Sequence, residues 1–157
     1  AHPYEEPAYD LIPLMNTGKK RGYGIIGTLP NPMSLGELWE DFLGKLGEEL
    51  PYDISGVRLA GDMSRKVRKI AVCNGSGGSF VQKAVFKGAD LFITGDLEYH
   101  GVLDSLEAGT AVGELGHFLS EIPMMRLLGE YLRKDKSMEG VEILISSSNK
   151  SPWVRSG

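Results

Sequence analysis

The residues best suited to chemistry lie in three short stretches. In Gly116-His117-Phe118-Leu119-Ser120-Glu121 an imidazole and a carboxylate stand four positions apart. If Ser120 caps a helix, Glu121 falls in its first turn and His117 just before it, and the two can converge on one divalent ion. Two ligands do not close a site, and by spacing alone a solvated His–Glu pair is the commoner outcome. In Thr94-Gly95-Asp96-Leu97-Glu98-Tyr99-His100, Asp96 can cap a helix, and His100 can share a face with Asp96 or with Asp104. A polar cluster at a strand end gives a ligand-facing role and an ordinary surface pair equal weight here. The third stretch, Asn74-Gly75-Ser76-Gly77-Gly78-Ser79, is built of small residues that let a ligand approach the backbone, and a helix N-terminus behind it favours an anion. It lacks the lysine of a phosphate-binding P-loop and does not match the dinucleotide fingerprint. A tight strand-to-helix turn with Ser79 as N-cap has the edge as an explanation.

These stretches need elements to hold them. From Gly56 onward, short apolar strands alternate with helical segments. The pattern predicts strands at Lys69–Cys73, Leu91–Thr94, Thr110–Glu114 and Val141–Ile145. Between them it predicts helices at Ser79–Lys87, closed by Gly88, at Leu97–Glu107, closed near Gly109, and at Ser120–Lys134. Pro123 is placed in the first turn of the last helix, where proline is tolerated. Its apolar stripe is Met124, Leu127, Leu128 and Tyr131. Upstream, Tyr4–Leu14 and Tyr23–Leu29 read as strands joined by a loop at Asn16–Arg21. Ser34 and Glu37 form a capping box ahead of a helix with Leu35, Leu38, Trp39, Phe42, Leu43 and Leu46 at core spacing. Alternating β and α implies an α/β fold: a mainly parallel sheet over residues 56–147, helices on both faces, and the Ser34–Leu46 helix packed on it. In such sheets sites collect at the carboxyl ends of strands, where all three stretches fall. The tail from Ser146 is polar, with Pro152 and Trp153 as its available anchors.

The bulk properties exclude several classes. With 157 residues the chain can bury one real core, and a net charge of −4 gives no nucleic-acid footprint and no basic face for a membrane. No apolar run is long enough to span a bilayer. Cys73 is the single cysteine, so no internal disulfide forms, and a reducing, cytoplasmic setting fits best. The chain opens at Ala1 inside a segment with strand character, which reads as the interior of a longer protein.

Taken in order, five motifs resemble one family: Ala1-His2-Pro3-Tyr4-Glu5-Glu6-Pro7-Ala8-Tyr9-Asp10, Gly22-Tyr23-Gly24-Ile25-Ile26-Gly27, Ala71-Val72-Cys73-Asn74-Gly75-Ser76-Gly77-Gly78-Ser79-Phe80, Ile93 to His100, and Gly116 to Glu121. They resemble the NIF-three-like family, also labelled GTP cyclohydrolase I type 2 homologues, over nearly the whole chain. The resemblance implies two related α/β halves with a dinuclear metal site between them, and in many bacterial members an inserted ferredoxin-like domain. It implies that residues 1–21 are the end of that insert and its linker, and that residues 22–157 are the C-terminal α/β half. The first half, which in the family supplies a His-His pair and an aspartate, is not in this sequence.

By the same resemblance His117 and Glu121 become metal ligands, while Asp96, His100, Gly77 and Ser79 line the cavity or stand behind the ligands. The catalytic residues stay unassigned. Where the family usually has an aspartate shortly before the Gly-His pair, this chain has Glu114, to which no role is given. The implied cofactors are two divalent ions per complete site, Zn, Fe or Mn. The implied assembly is a ring-like homo-oligomer, a hexamer. The expected activity is metal-dependent hydrolysis of a nucleotide or related small molecule. The alternative is a metal-stabilised oligomeric scaffold or regulatory partner-binding protein without catalysis.

Overall fold

A computed structural model describes residues 9–18 and 21–153, with side chains described from Tyr23 onward. The Ala1–Ala8 part of the first motif lies outside the described residues. Strands run at β1 (Tyr9–Gly18), β2 (Arg21–Ser34), β3 (Arg58–Ala60), β4 (Lys66–Cys73), β5 (Leu91–Thr94) and β6 (Ala111–Glu114). Helices are α1 (Leu35–Glu49), α2 (Val81–Phe86), α3 (Tyr99–Glu107) and α4 (His117–Lys134).

The six strands form one sheet in the order β1-β2-β4-β5-β6-β3. Its centre, β4-β5-β6, is parallel, as the βα alternation requires, because each parallel pair needs a crossover and α2 and α3 supply them. The flanks are antiparallel: β1 on β2, β2 on β4, and β3 on β6. The α/β class therefore stands, but the sheet reaches outside residues 56–147 to include β1 and β2. In β2 the strand continues past Leu29 to Ser34, with a register shift between Thr28 and Met33. Pro30 and Pro32 fall in that shift, where a missing N–H breaks no ladder bond.

Period-two alternation sorts the core. Leu91 and Ile93 face one side with Leu35, Trp39, Leu119 and Ile122, while Phe92 faces the other with Ala71, Val81 and Ala84. Helix α1 starts as its capping box dictates: the Glu37 amide donates to Ser34 Oγ at 3.3 Å and the Ser34 amide donates to Glu37 Oε2 at 3.0 Å.

Several local expectations are corrected. Helix α4 begins at His117, not Ser120; Gly116 at φ +78° is the cap residue, a conformation glycine adopts without penalty. Pro123 thus lies in the second turn. Ser79 does not cap a helix: Gly77–Phe80 makes a 3₁₀ turn that runs into α2. Val141–Ile145 is not a strand. It lies along α4 instead, where the Ile143 carbonyl accepts from Arg133 at 3.0 Å and Ile145 packs so closely on Gly129 that a Cβ there would sit 2.5 Å from its side chain. The stripe Met124, Leu127, Leu128 and Tyr131 forms on α4 and lies exposed, at 53, 40, 49 and 66%, while the same helix buries Leu119, Ser120, Ile122 and Gly129. Trp153 is also exposed and does not anchor the tail.

Candidate metal centre

In the parallel centre Cys73 is level with Thr94, and Thr94 with Glu114, so three loops leave the sheet side by side at its carboxyl edge. Backbone bonds tie them together. The Gly75 carbonyl accepts from the amides of Gly95 at 3.1 Å and Asp96 at 3.2 Å, and the Gly116 amide donates to the Gly95 carbonyl at 2.9 Å. Two buried hydroxyls complete the join. Ser120 Oγ accepts from the Gly75 amide at 2.9 Å and donates to the His117 carbonyl at 2.8 Å. Thr94 Oγ1 accepts from the Gly77 amide at 3.1 Å. Read as a cap in the sequence, Ser120 is instead the pin between the glycine loop and the first turn of α4.

Glycine is required where the loops meet. At Gly95 a Cβ would lie 2.6 Å from the Gly75 carbonyl oxygen, 2.6 Å from Ser120 Oγ and 3.0 Å from His117 Cα. At Gly75, φ is +67° and a Cβ would lie 2.7 Å from Glu121 Oε1, in the space the carboxylate uses.

This frame brings three of the expected residues together. His117 Nδ1 bonds Asp96 Oδ2 at 2.6 Å, and His117 Nε2 faces Glu121 Oε1 at 3.3 Å. Asp96, expected as a possible helix cap, is taken by the imidazole; Glu98 occupies the cap position of α3. Ser76 Oγ donates to Asp96 Oδ2 at 3.3 Å. The hydrogen bond that His117 donates to Asp96 and the charges of Glu121 and Asp96 raise the His117 pKa above the ordinary imidazole value, against slight burial. The ring is half exposed, so the pair is screened and contributes modestly to stability. That contribution is present below pH ~6.5 and fades as pH rises through the higher folded pKa. In the metal-free chain Asp96→Asn is expected to return the His117 pKa toward the ordinary value of about 6.5. An NMR titration of the imidazole checks this, and an unchanged midpoint would break the assignment.

The other candidates fall elsewhere. His100 is exposed on α3 with its ring edge-on to Tyr99 at 5.6 Å, and no hydrogen bond among the described residues joins it to His117 or Glu121. It pairs with neither Asp96 nor Asp104 there. Gly77 is buried and packs on Thr94, behind the site; Ser79 is exposed in the 3₁₀ turn. Glu114 ends β6 and binds inward, its Oε1 accepting from the Leu97 amide at 3.2 Å and its Oε2 pairing with Arg58. Among the described residues no group of three or more His, Cys, Asp or Glu side chains is placed to hold a metal ion. Asp96 and Glu121 engage different ring nitrogens and so lie on different sides of the His117 ring.

A family model, Duf34/NIF3 (NGG1p interacting factor 3), matches residues 5–152. The chain belongs to this family. It is 36% identical over 156 residues to the Bacillus subtilis GTP cyclohydrolase 1 type 2 homolog, covering 98% of this chain and 40% of that protein. To the Halalkalibacterium halodurans protein of the same name it is 37% identical, again over 98% of this chain and 40% of that protein. A Bacillus cereus protein related to NIF3 superimposes with a TM-score of 0.73 at 31% identity, over 85% of this chain and 36% of that one. The chain thus spans about two fifths of the length of these curated relatives. Among the described residues no helix is long and apolar enough to cross a membrane.

Proposed function

We propose that this Duf34/NIF3 chain supplies one side of a two-metal hydrolytic centre. The observation that carries this reading is the environment of His117. Asp96 holds Nδ1, which fixes the tautomer and turns Nε2 toward Glu121, the arrangement by which a carboxylate behind a histidine readies it for a metal. Two ligand atoms each about 2 Å from a tetrahedral ion stand roughly 3.3 Å apart. The separation of Nε2 and Glu121 Oε1 is 3.3 Å, and Gly75 leaves the room a side chain would fill. The donor set, imidazole nitrogen plus carboxylate oxygen, suits Zn, Fe or Mn. Two such ions would supply a bridging water of lowered pKa and a clamp on the attacked group.

In this reading His117 and Glu121 bind, Asp96 orients, and Ser120 and Ser76 hold the geometry. The remaining ligands would come from the part of the relatives' length this chain does not span. The name shared by the curated relatives points to a nucleotide or related small molecule as substrate. Hydrolysis of a nucleotide and phosphoester panel by the full-length protein, with and without added Zn²⁺, Mn²⁺ or Fe²⁺, tests the reading. Turnover that needs metal and is lost in His117→Ala is expected; metal-independent turnover would contradict it.

A second reading has its own observation, the uncovered apolar stripe of α4. Contiguous exposed apolar surface marks a contact face, and Met124, Leu127, Leu128 and Tyr131 are spaced for helix-on-helix packing. This supports self-association, with the ring-like hexamer as the proposed state and a metal-stabilised scaffold as the non-catalytic alternative. Leu127→Glu with Leu128→Glu is expected to shift the full-length protein to smaller species in multi-angle light scattering. An unchanged mass across concentrations would remove α4 from the interface.

A further inference from the structure

On the α3 side of the sheet a cleft of about 420 Å³ opens between β3, β6 and the start of α3, within the range of small-molecule sites. Val112, 1% exposed, lines its base; Leu97 and Val102, packed against the same core cluster, line its walls. Two further lining groups reach solvent. Tyr99 is 72% exposed, and the Arg58 side chain is 74% exposed.

The chemistry of Arg58 is set by Glu114. Glu114 is largely covered, with one oxygen accepting from the Leu97 amide and the other paired with Arg58. The carboxylate therefore has both oxygens engaged, and its role is to fix the guanidinium. Among the described residues Arg58 uses only Nη2, so its other N–H groups remain for a ligand. A fixed guanidinium beside an apolar slot with an aromatic ring selects a flat apolar group that carries an oxyanion, because the fork of N–H donors matches carboxylate and phosphate geometry.

The cleft also shares its loops with the metal centre. Leu97, in its wall, directly follows Asp96, which holds His117, and Glu114 lies three residues before His117.

We infer that this cleft binds an aromatic oxyanion, a ring bearing a phosphate or carboxylate, with Arg58 on the anion and the ring between Tyr99 and Val112. As the specificity subsite of the metal centre it rests on the function proposed above; as a binding site it does not. The test uses the ¹⁵N-labelled chain with a chelator present. Phenyl phosphate and benzoate are the two probes, with inorganic phosphate and benzyl alcohol as controls. Shifts at the amides of Leu97, Val102 and Val112 are expected with one or both aromatic anions and to be weaker with either control. Whichever aromatic anion binds more tightly names the oxyanion.

Arg58→Met is expected to weaken binding about tenfold, the scale of a lost charged hydrogen bond. Val102→Phe fills the slot while leaving Arg58 and Glu114 in place, and should abolish binding if the Arg58 variant proves unfolded. His117→Ala should bind both probes as the parent does, so loss of metal binding in that variant bears on the hydrolytic reading alone. No shifts at these amides, or equal binding by Arg58→Met in a folded chain and by Val102→Phe, would overturn the assignment.

Discussion

Gly95→Ala is expected to cost about 3 kcal/mol of folding stability and to dismantle the proposed metal centre. The added methyl would meet the Gly75 carbonyl oxygen, Ser120 Oγ and His117 Cα at 2.6, 2.6 and 3.0 Å. Two of these are backbone atoms in loops already fixed to each other, so they cannot retreat without breaking the bonds from Gly95 and Asp96 to the Gly75 carbonyl. Ser120 can turn aside only by leaving the Gly75 amide unpaired in a buried place, which carries its own cost of ~1–3 kcal/mol. Either route moves His117 relative to Glu121. Urea denaturation of the parent and the variant reads the stability, and the His117 and Glu121 resonances read the site. A change under ~0.5 kcal/mol with unchanged resonances would mean that the three loops are not locked as described.

How much of this was legible in the sequence depends on how local the determinant is. The capping box at Ser34 and Glu37 is four residues long, and it forms as written. Strand β5 has the bounds that its apolar run and following glycine mark. The three chemistry-bearing loops come together because βα alternation places strand ends on one edge, a rule that needs no distant information. The failures are tertiary. The start of α4 is set by a backbone conformation at Gly116 and by Ser120 bonding across to Gly75, 45 residues away, so a local cap rule put the helix start three residues late. The helical period of Met124, Leu127, Leu128 and Tyr131 reports an amphipathic face but not whether this chain covers it. Val141–Ile145 has strand composition, yet it follows α4 instead of joining the sheet, and its carbonyl bonds the Arg133 side chain. Arg58 and Glu114, 56 positions apart, carry no signature as a pair until β3 is laid on β6. Asp96 and His117 were both visible as candidates, but their direct bond needed the fold.

Metal binding is the second large expected effect, and it follows from the count of ligands. A lasting divalent site draws on three or four protein ligands at fixed geometry. In the proposed centre this chain would offer His117 and Glu121 to one ion, with Asp96 bonded to the back of the imidazole. The chain alone should therefore bind Zn²⁺ or Mn²⁺ weakly, and the full-length protein tightly. Asp96→Asn should weaken binding by the full-length protein about 10- to 100-fold, the usual loss when the group orienting a ligand histidine is removed. Folding of the chain should barely respond to His117→Ala, because the ring is half exposed and carries no core packing.

The most direct measurement is calorimetric titration of Zn²⁺ into three samples: the chain, the full-length protein, and the full-length protein carrying His117→Ala. Weak binding, tight binding and lost binding, in that order, are predicted. Tight stoichiometric binding by the chain alone, or unchanged binding after His117→Ala, would contradict the placement of the metal on Nε2 and Glu121.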